Sequence, residues 1–209
     1  MHRSHWDEFY GGVADSAVVQ DPSPFARWVR ARHDGGGRLI DVGTGTGRDG
    51  LWFAANGFDV VGLDYSPASI SLATRRAEQQ QVQARFEELD LYDVDAVHAA
   101  AKSCAGPGAT TVYARFLVHA IEDEGRANLF ELARTATEGG TFYLEFRTGK
   151  DAGKQHVFGE HFRLYLDGQQ VVDELEALGA EVLHHEEGHG LAVYQEEDPH
   201  VARLAVRWS

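Results

Sequence analysis

Two carboxylates and three glycines in the first third of the chain have the spacing of a ligand site. The segment Leu39-Ile-Asp-Val-Gly-Thr-Gly-Thr-Gly-Arg-Asp-Gly50 passes from apolar residues through Asp41 into a loop with Gly43, Gly45 and Gly47, and Val60-Val-Gly-Leu-Asp64 closes a second apolar run with another acid. The glycines let the backbone turn sharply after a strand and lie against a flat, extended ligand with no Cβ in the way. Asp64 is placed to accept both hydroxyls of a ribose, and its charge would repel a 2′-phosphate. Gly45-Thr-Gly47-Arg-Asp-Gly50 also satisfies the G-x-G-x-x-G pattern of dinucleotide readers. Asp41 argues against a pyrophosphate, whose charge it would repel, and suits a cation instead.

A second set of reactive groups lies further along. Arg115 and His119 sit in Tyr113-Ala-Arg-Phe-Leu-Val-His-Ala-Ile121, Arg147 ends Glu145-Phe-Arg147, and Arg163 and Tyr165 belong to His161-Phe-Arg-Leu-Tyr165. Between them, Thr148 to His156 is a glycine-bearing loop with Lys150 and Lys154, two of the chain's three lysines. Convergent guanidinium groups suit phosphate, phosphonate or carboxylate, because their planar forks bind oxyanions bidentately. His119, four residues after Arg115, would lie one helical turn away if that segment coils. Tyr10, in the leading Trp6-Asp-Glu-Phe-Tyr10, is placed to close over the site and exclude water.

The elements that must position these groups alternate. Helices are expected at Trp6 to Gly12, Pro24 to Arg30 (capped by Ser23 or Asp21), Arg48 to Asn56, Pro67 to Gln80, Asp95 to Cys104, Glu122 to Thr137 and Asp167 to Leu178. Strands are expected at Arg38 to Val42, Asp59 to Leu63, Val82 to Phe86, Thr110 to Ala114, Thr141 to Phe146, Ala180 to His185 and Val201 to Trp208. This pattern gives an α/β fold with a doubly wound, mostly parallel sheet, which binds ligands at the carboxyl ends of its strands. Arg115, Arg147 and Arg163 would then share one rim.

S-adenosylmethionine carries a sulfonium and an ammonium against one carboxylate, so an acid beside a turn lined with N–H groups complements it. Asp41-Val-Gly-Thr-Gly-Thr-Gly47 resembles the first motif of the class I S-adenosylmethionine-dependent methyltransferases, and the resemblance covers most of the chain from Leu39. It implies a Rossmann-like seven-stranded sheet ending in an antiparallel hairpin, with S-adenosylmethionine as cofactor. In such enzymes an Asp after the third strand faces the adenine amine and the next backbone N–H meets a ring nitrogen; Asp90 and Leu91 match. The implied cofactor set is Asp41, Gly43, Thr44, Gly45, Gly47, Asp64, Tyr65, Asp90, Leu91 and Ala114. The segments holding Tyr10, Arg115, His119, Arg163 and Tyr165 also resemble the phosphonate and phosphate O-methyltransferase branch of the dehydrophos type, which implies a small anionic acceptor and a place in natural-product biosynthesis.

A phosphonate, or a phosphate monoester, has a second pKa of about 6–7, so near neutrality it is already an oxyanion and needs no general base. Arg115, His119, Arg147, Lys154, Arg163 and Tyr165 would hold it for in-line methyl transfer, with Arg115, His119 and Tyr10 nearest the reacting atoms. Two other readings compete: methylation of a neutral hydroxyl or amine with His119 as base, aided by Glu122 or Asp123, and a non-catalytic S-adenosylmethionine-binding protein. His184-His185-Glu186-Glu187-Gly-His189 has metal-ligand types, but neighbours on a strand point to opposite faces; it reads as a solvated strand end, and no metal is expected.

At 209 residues and 43% hydrophobic content the chain fits one domain, with leading helices over 1–34 and a substrate-side insertion over 147–166. Its 19 basic against 33 acidic residues give a net charge of −14, which disfavours nucleic-acid partners. The absence of a long apolar run or a signal-peptide core leads to the expectation of a soluble, cytoplasmic protein with no membrane partner. The single cysteine, Cys104, excludes an internal disulfide. Oligomeric state is left open by the sequence.

Overall fold

The computed structural model describes residues 11–12, 19–33, 36–151, 164 and 166–208. Tyr10, Lys154, Arg163 and Tyr165 lie outside the described residues, as do most of the expected leading helix and most of the 147–166 insertion.

Seven strands form one sheet: β1 (Gly37–Val42), β2 (Phe58–Asp64), β3 (Ala84–Glu88), β4 (Thr110–Arg115), β5 (Phe142–Arg147), β6 (Glu181–Gly188) and β7 (Val201–Arg207). Their order is β3-β2-β1-β4-β5-β7-β6, parallel except for β7, which runs antiparallel to both β5 and β6. The chain leaves β1 in one direction across the sheet and returns to place β4 on its other side. The reversal opens a crevice beyond the carboxyl ends of β1 and β4, where such sheets bind ligands. Because β7 is reversed, the β6–β7 connection emerges at this same edge, with Val201 opposite Arg147 and Gly188.

Helices cover both faces: α1 (Pro24–Arg30), α2 (Arg48–Ala55), α3 (Pro67–Gln80), α4 (Val94–Cys104), α5 (Asp123–Ala136) and α6 (Gly168–Ala177). Alternation along the strands sorts the core. Leu39, Val60, Tyr113 and Tyr143 pack with Phe25, Val29 and Phe53 of α1 and α2. Ile40, Val61, Val112 and Leu144 pack with residues of α4, α5 and α6. A strand buried on both faces reads as a continuous apolar run, as Leu39-Ile40 and Val60-Val61 do. Ser23 rather than Asp21 caps α1, accepting the Ala26 N–H at 3.0 Å with Pro24 in the first turn. Among the described residues no helix is long and apolar enough to cross a membrane.

Two strands differ from the sequence expectation by more than one residue at an end. The third strand occupies 84–88, not 82–86, because α3 ends on Gln81 in the left-handed region (φ 55) and Val82 donates to Ala77 O at 3.0 Å. That closing turn consumes Val82 and Gln83, and Glu87 and Glu88 enter the strand instead. The sixth strand continues to Gly188, so His184-His185-Glu186-Glu187 is paired strand rather than a solvated end. His184 and His185 face Glu186 and Glu187 at 3.4 and 3.3 Å along the strand.

Candidate functional site

The glycine loop is hooked onto the end of β2. Gly43 and Thr44 N–H donate to Leu63 O at 2.8 and 3.1 Å, and Gly45 N–H donates to Asp64 Oδ2 at 2.9 Å. Gly43 and Gly47 take φ values of 74° and 71°, which side chains rarely adopt. A Cβ at Gly43 would also stand 3.1 Å from Leu117. From α3, Ser69 Oγ donates to Gly45 O at 2.6 Å and the buried Arg76 donates to Thr46 O, fixing the loop carbonyls toward that helix. Ser66 N–H reaches Asp64 Oδ1 at 3.1 Å. Leu89 N–H bonds Asp64 O at 2.8 Å, so the turn carrying Asp90 and Leu91 lies beside the end of β2.

Three buried acids line this edge. Asp41 accepts from Thr44 Oγ1 at 2.7 Å and makes no ion pair among the described residues. Burial first, then the charges of Asp49 and Asp64, push its pKa from 3.8 up to about 7 against the bonds from Thr44 and Gly50. Burial raises Asp64 as well, opposed by the N–H groups of Ser66 and Gly45. Asp49 is satisfied by neutral donors: Ser23 N–H at 2.8 Å, Ser23 Oγ at 2.7 Å and Tyr113 OH at 2.6 Å. An acid desolvated beside other acids is completed by a cation. The set therefore fits a ligand with a positive centre near Asp41 and hydroxyls near Asp64, as S-adenosylmethionine has.

At the ends of β4 and β5 the register builds a charged row. Arg115 faces Glu145, and Glu145 faces Arg203, which in turn faces Glu186. Glu145, 1% exposed, accepts Arg115 Nε at 2.9 Å and Arg203 Nε at 2.7 Å. Burial alone would lower the Arg115 pKa, but Glu145 and Asp49 more than offset it and raise it. Immediately after β4, Phe116 takes φ 56, and its ring lies 4.1 Å from the Arg115 guanidinium and 5.4 Å from that of Arg147. Its N–H is held by Glu145 O at 2.7 Å. A non-glycine residue in this region is a local strain the surroundings must impose. His119 packs against the same ring at 5.6 Å, and its Nδ1 accepts the Arg147 N–H at 3.3 Å. Arg147 Nη2 bonds Glu197 of the β6–β7 connection at 2.6 Å.

Residues 39–140 match the methyltransferase domain family. Over those residues the chain matches this family, and its sheet order is that of the class I S-adenosylmethionine-dependent methyltransferase fold. A structure reported for the conversion of a disulfide bond into a thioacetal group during echinomycin biosynthesis superimposes with a TM-score of 0.74 at 21% identity, over 99% of this chain and 93% of that one. The glycopeptide N-methyltransferase MtfA complexed with S-adenosylmethionine has a TM-score of 0.66 at 16% identity, over 90% and 95%. A putative methyltransferase of Geobacillus sp. (strain WCH70) is 36% identical over 61 residues, 29% of this chain; the match spans a quarter (25%) of that protein's length. S-adenosylmethionine is the cofactor of this fold.

In this methyltransferase domain the expected cofactor residues gather along one edge. Asp41, Gly43, Thr44, Gly45 and Gly47 form the end of β1 and its turn, Asp64 and Tyr65 the end of β2, and Asp90 and Leu91 the turn after β3. Ala114, beside Val42 in the sheet, is the neighbouring position on β4. At the carboxyl ends of β4 and β5, Arg115, His119 and Arg147 meet around Phe116. The segment from Arg115 to His119 does not coil into an α-helical turn: the left-handed Phe116 ends the strand and only a short 3-10 turn, Val118–Ala120, follows. Of the acids proposed to aid His119, Asp123 bonds Arg126 at 3.1 Å instead.

Several supporting residues carry no signal in the sequence. Asn128 of α5 donates to Leu91 O at 2.8 Å, Arg76 holds the glycine loop, and Asp49 ties α2 to Ser23 and Tyr113. The β6–β7 connection supplies Glu197 to Arg147, while its Tyr194 ring lies 5.9 Å from the guanidinium of Arg48 at the start of α2. Because the connection joins elements from both ends of the crevice, only the sheet order could have revealed its role.

Proposed function

We propose that this domain transfers a methyl group from S-adenosylmethionine to an oxyanion of a small phosphonate or phosphate monoester. The observation that carries the reading is the Arg115–Phe116–Arg147 cluster at the carboxyl ends of β4 and β5. Arg115 spends only Nε on Glu145, and its two terminal nitrogens have no partner among the described residues, so a planar pair of donors remains for an anion. His119 supports the same reading. With Nδ1 accepting from Arg147 N–H, a neutral imidazole carries its proton on Nε2 and offers no basic nitrogen to a hydroxyl.

The cofactor supplies an electrophilic methyl group on a sulfonium centre. The chain's part is to place and orient. Arg115, Arg147 and His119 would hold two acceptor oxygens and leave the third toward the methyl group, so that the rate gain is one of proximity and alignment. Arg163, Lys154, Tyr165 and Tyr10 complete the proposed acceptor site. Their placement there rests on the sequence.

The test is transfer of labelled methyl to a panel of phosphonates, phosphate monoesters, carboxylates, phenols and amines, with the wild type and Arg115→Met. Turnover of phosphonates or phosphates is expected, with KM raised at least tenfold in the variant and cofactor affinity within about twofold of wild type. Turnover confined to phenols or amines would overturn the reading and make His119 a base.

A further inference from the structure

Asn128 lies on α5, far along the chain from the glycine loop, yet it bonds the turn that follows β3. Its Nδ2 donates to Leu91 O at 2.8 Å. The N–H of the same peptide unit, that of Tyr92, donates to Asp90 Oδ1 at 3.1 Å. One peptide plane is therefore pinned at its carbonyl by Asn128 and at its N–H by the Asp90 carboxylate, and a bond at one end strengthens the bond at the other. Glu122 and Gly125, which with Asn128 recur every third residue, hold the turn at two further points. Glu122 N–H donates to Tyr92 Oη at 2.9 Å, and Gly125 lets the Tyr92 ring lie against the helix, where a Cβ would stand 2.9 Å from Cζ.

β1, β2 and β3 are neighbours in the sheet, with Asp41 on the first, Asp64 at the end of the second and this turn after the third, beside Asp64 through the Leu89 N–H bond to Asp64 O at 2.8 Å. S-adenosylmethionine with its cationic end at Asp41 and its ribose at Asp64 extends its base toward the turn. Asp90 offers an acceptor there and the Leu91 N–H a donor, the complement of an adenine edge whose amine donates and whose N1 accepts. We propose that Asn128 is a positioning residue for adenine: through the Leu91–Tyr92 peptide it holds the Asp90 carboxylate and the Leu91 N–H in register with the base. Losing its amide frees that peptide to rotate, which withdraws the Tyr92 N–H from Asp90 and lets the carboxylate swing away. Tyr92 stays anchored to α5 by its hydroxyl and ring, so the disturbance is confined to this peptide. The inference rests on the S-adenosylmethionine site and is independent of the acceptor.

The inference is tested by calorimetric titration, with no acceptor present, of S-adenosylhomocysteine and of S-inosylhomocysteine into the wild type and Asn128→Leu, a near-isosteric change that removes the donor. Hypoxanthine has an accepting 6-oxo group and an N1–H, so it reverses both contacts at Asp90 and Leu91. The wild type should prefer the adenine ligand by about tenfold or more. Asn128→Leu should weaken that ligand by about five- to tenfold and leave the hypoxanthine ligand nearly unchanged, so that the ratio falls below about threefold. Asn128→Ala is a second variant without the donor, should Asn128→Leu fold poorly. If the ratio is unchanged, whether both ligands weaken or neither does, Asn128 serves only the packing of α5 and the proposal is overturned. A wild type that binds the two ligands alike, or binds neither, overturns it as well. None of these results bears on the anionic-acceptor reading, which the methyl-transfer panel tests.

Discussion

Replacing Asp41 with Asn should stabilise the ligand-free protein in a pH-dependent way. The folded state holds a proton on Asp41 up to about pH 7, whereas the unfolded chain releases it near 3.8. Stability contributed by this group is therefore lost as pH rises from about 4 to 7 and stays lost above that. Over the 2 units between pH 5 and 7 the wild type forfeits about 3 kcal/mol at ~1.36 kcal/mol per unit. Asn can keep the local bonds, with its carbonyl accepting from Gly50 N–H and its amide donating to the rotatable hydroxyl of Thr44. Thermal melts of both proteins at pH 5 and pH 8 read the difference. For a chain of this length about 2–4 °C accompanies each kcal/mol, so the melting-temperature gap between variant and wild type should widen by roughly 6–12 °C from pH 5 to pH 8. S-adenosylmethionine should bind the wild type more tightly above pH 7, where Asp41 is ionised, and bind the variant weakly with a flatter profile. Parallel melting curves for the two proteins would refute the assignment of a raised pKa to Asp41.

Tyr113→Phe removes the shortest of the bonds to the buried Asp49 and should cost about 1–3 kcal/mol, read from urea denaturation. Gly62→Ala would set a Cβ 2.4 Å from the Phe86 ring and 2.9 Å from Thr44 Oγ1. Overpacking of this kind should cost about 1–3 kcal/mol, and Phe86→Leu in the same chain should recover part of it; the double variant's melting temperature checks this.

The local signals were legible because they depend on neighbours in sequence. Leu39 to Val42 and Val60 to Leu63 announce buried parallel strands by composition, Gly43 to Gly47 the turn, and the residues before Pro24 and Gly168 the helix starts. The pair Asp41 and Asp64 was equally legible, since an acid at the end of each strand needs only the βαβ unit to bring the two together. The boundaries of β3 were not, because Gln81 closes α3 in a conformation that its residue type does not advertise.

The charged row at the ends of β4 and β5 was decided by tertiary structure. Arg115, Glu145, Arg203 and Glu186 form a row only because β7 runs antiparallel between β5 and β6, a register fixed by packing on both faces rather than by any one strand. The same reversal carries Glu197 to the carboxyl edge, some fifty positions along the chain from Arg147. Sequence supplied the charges; which arginine terminals meet a carboxylate follows from distances that only the folded sheet sets.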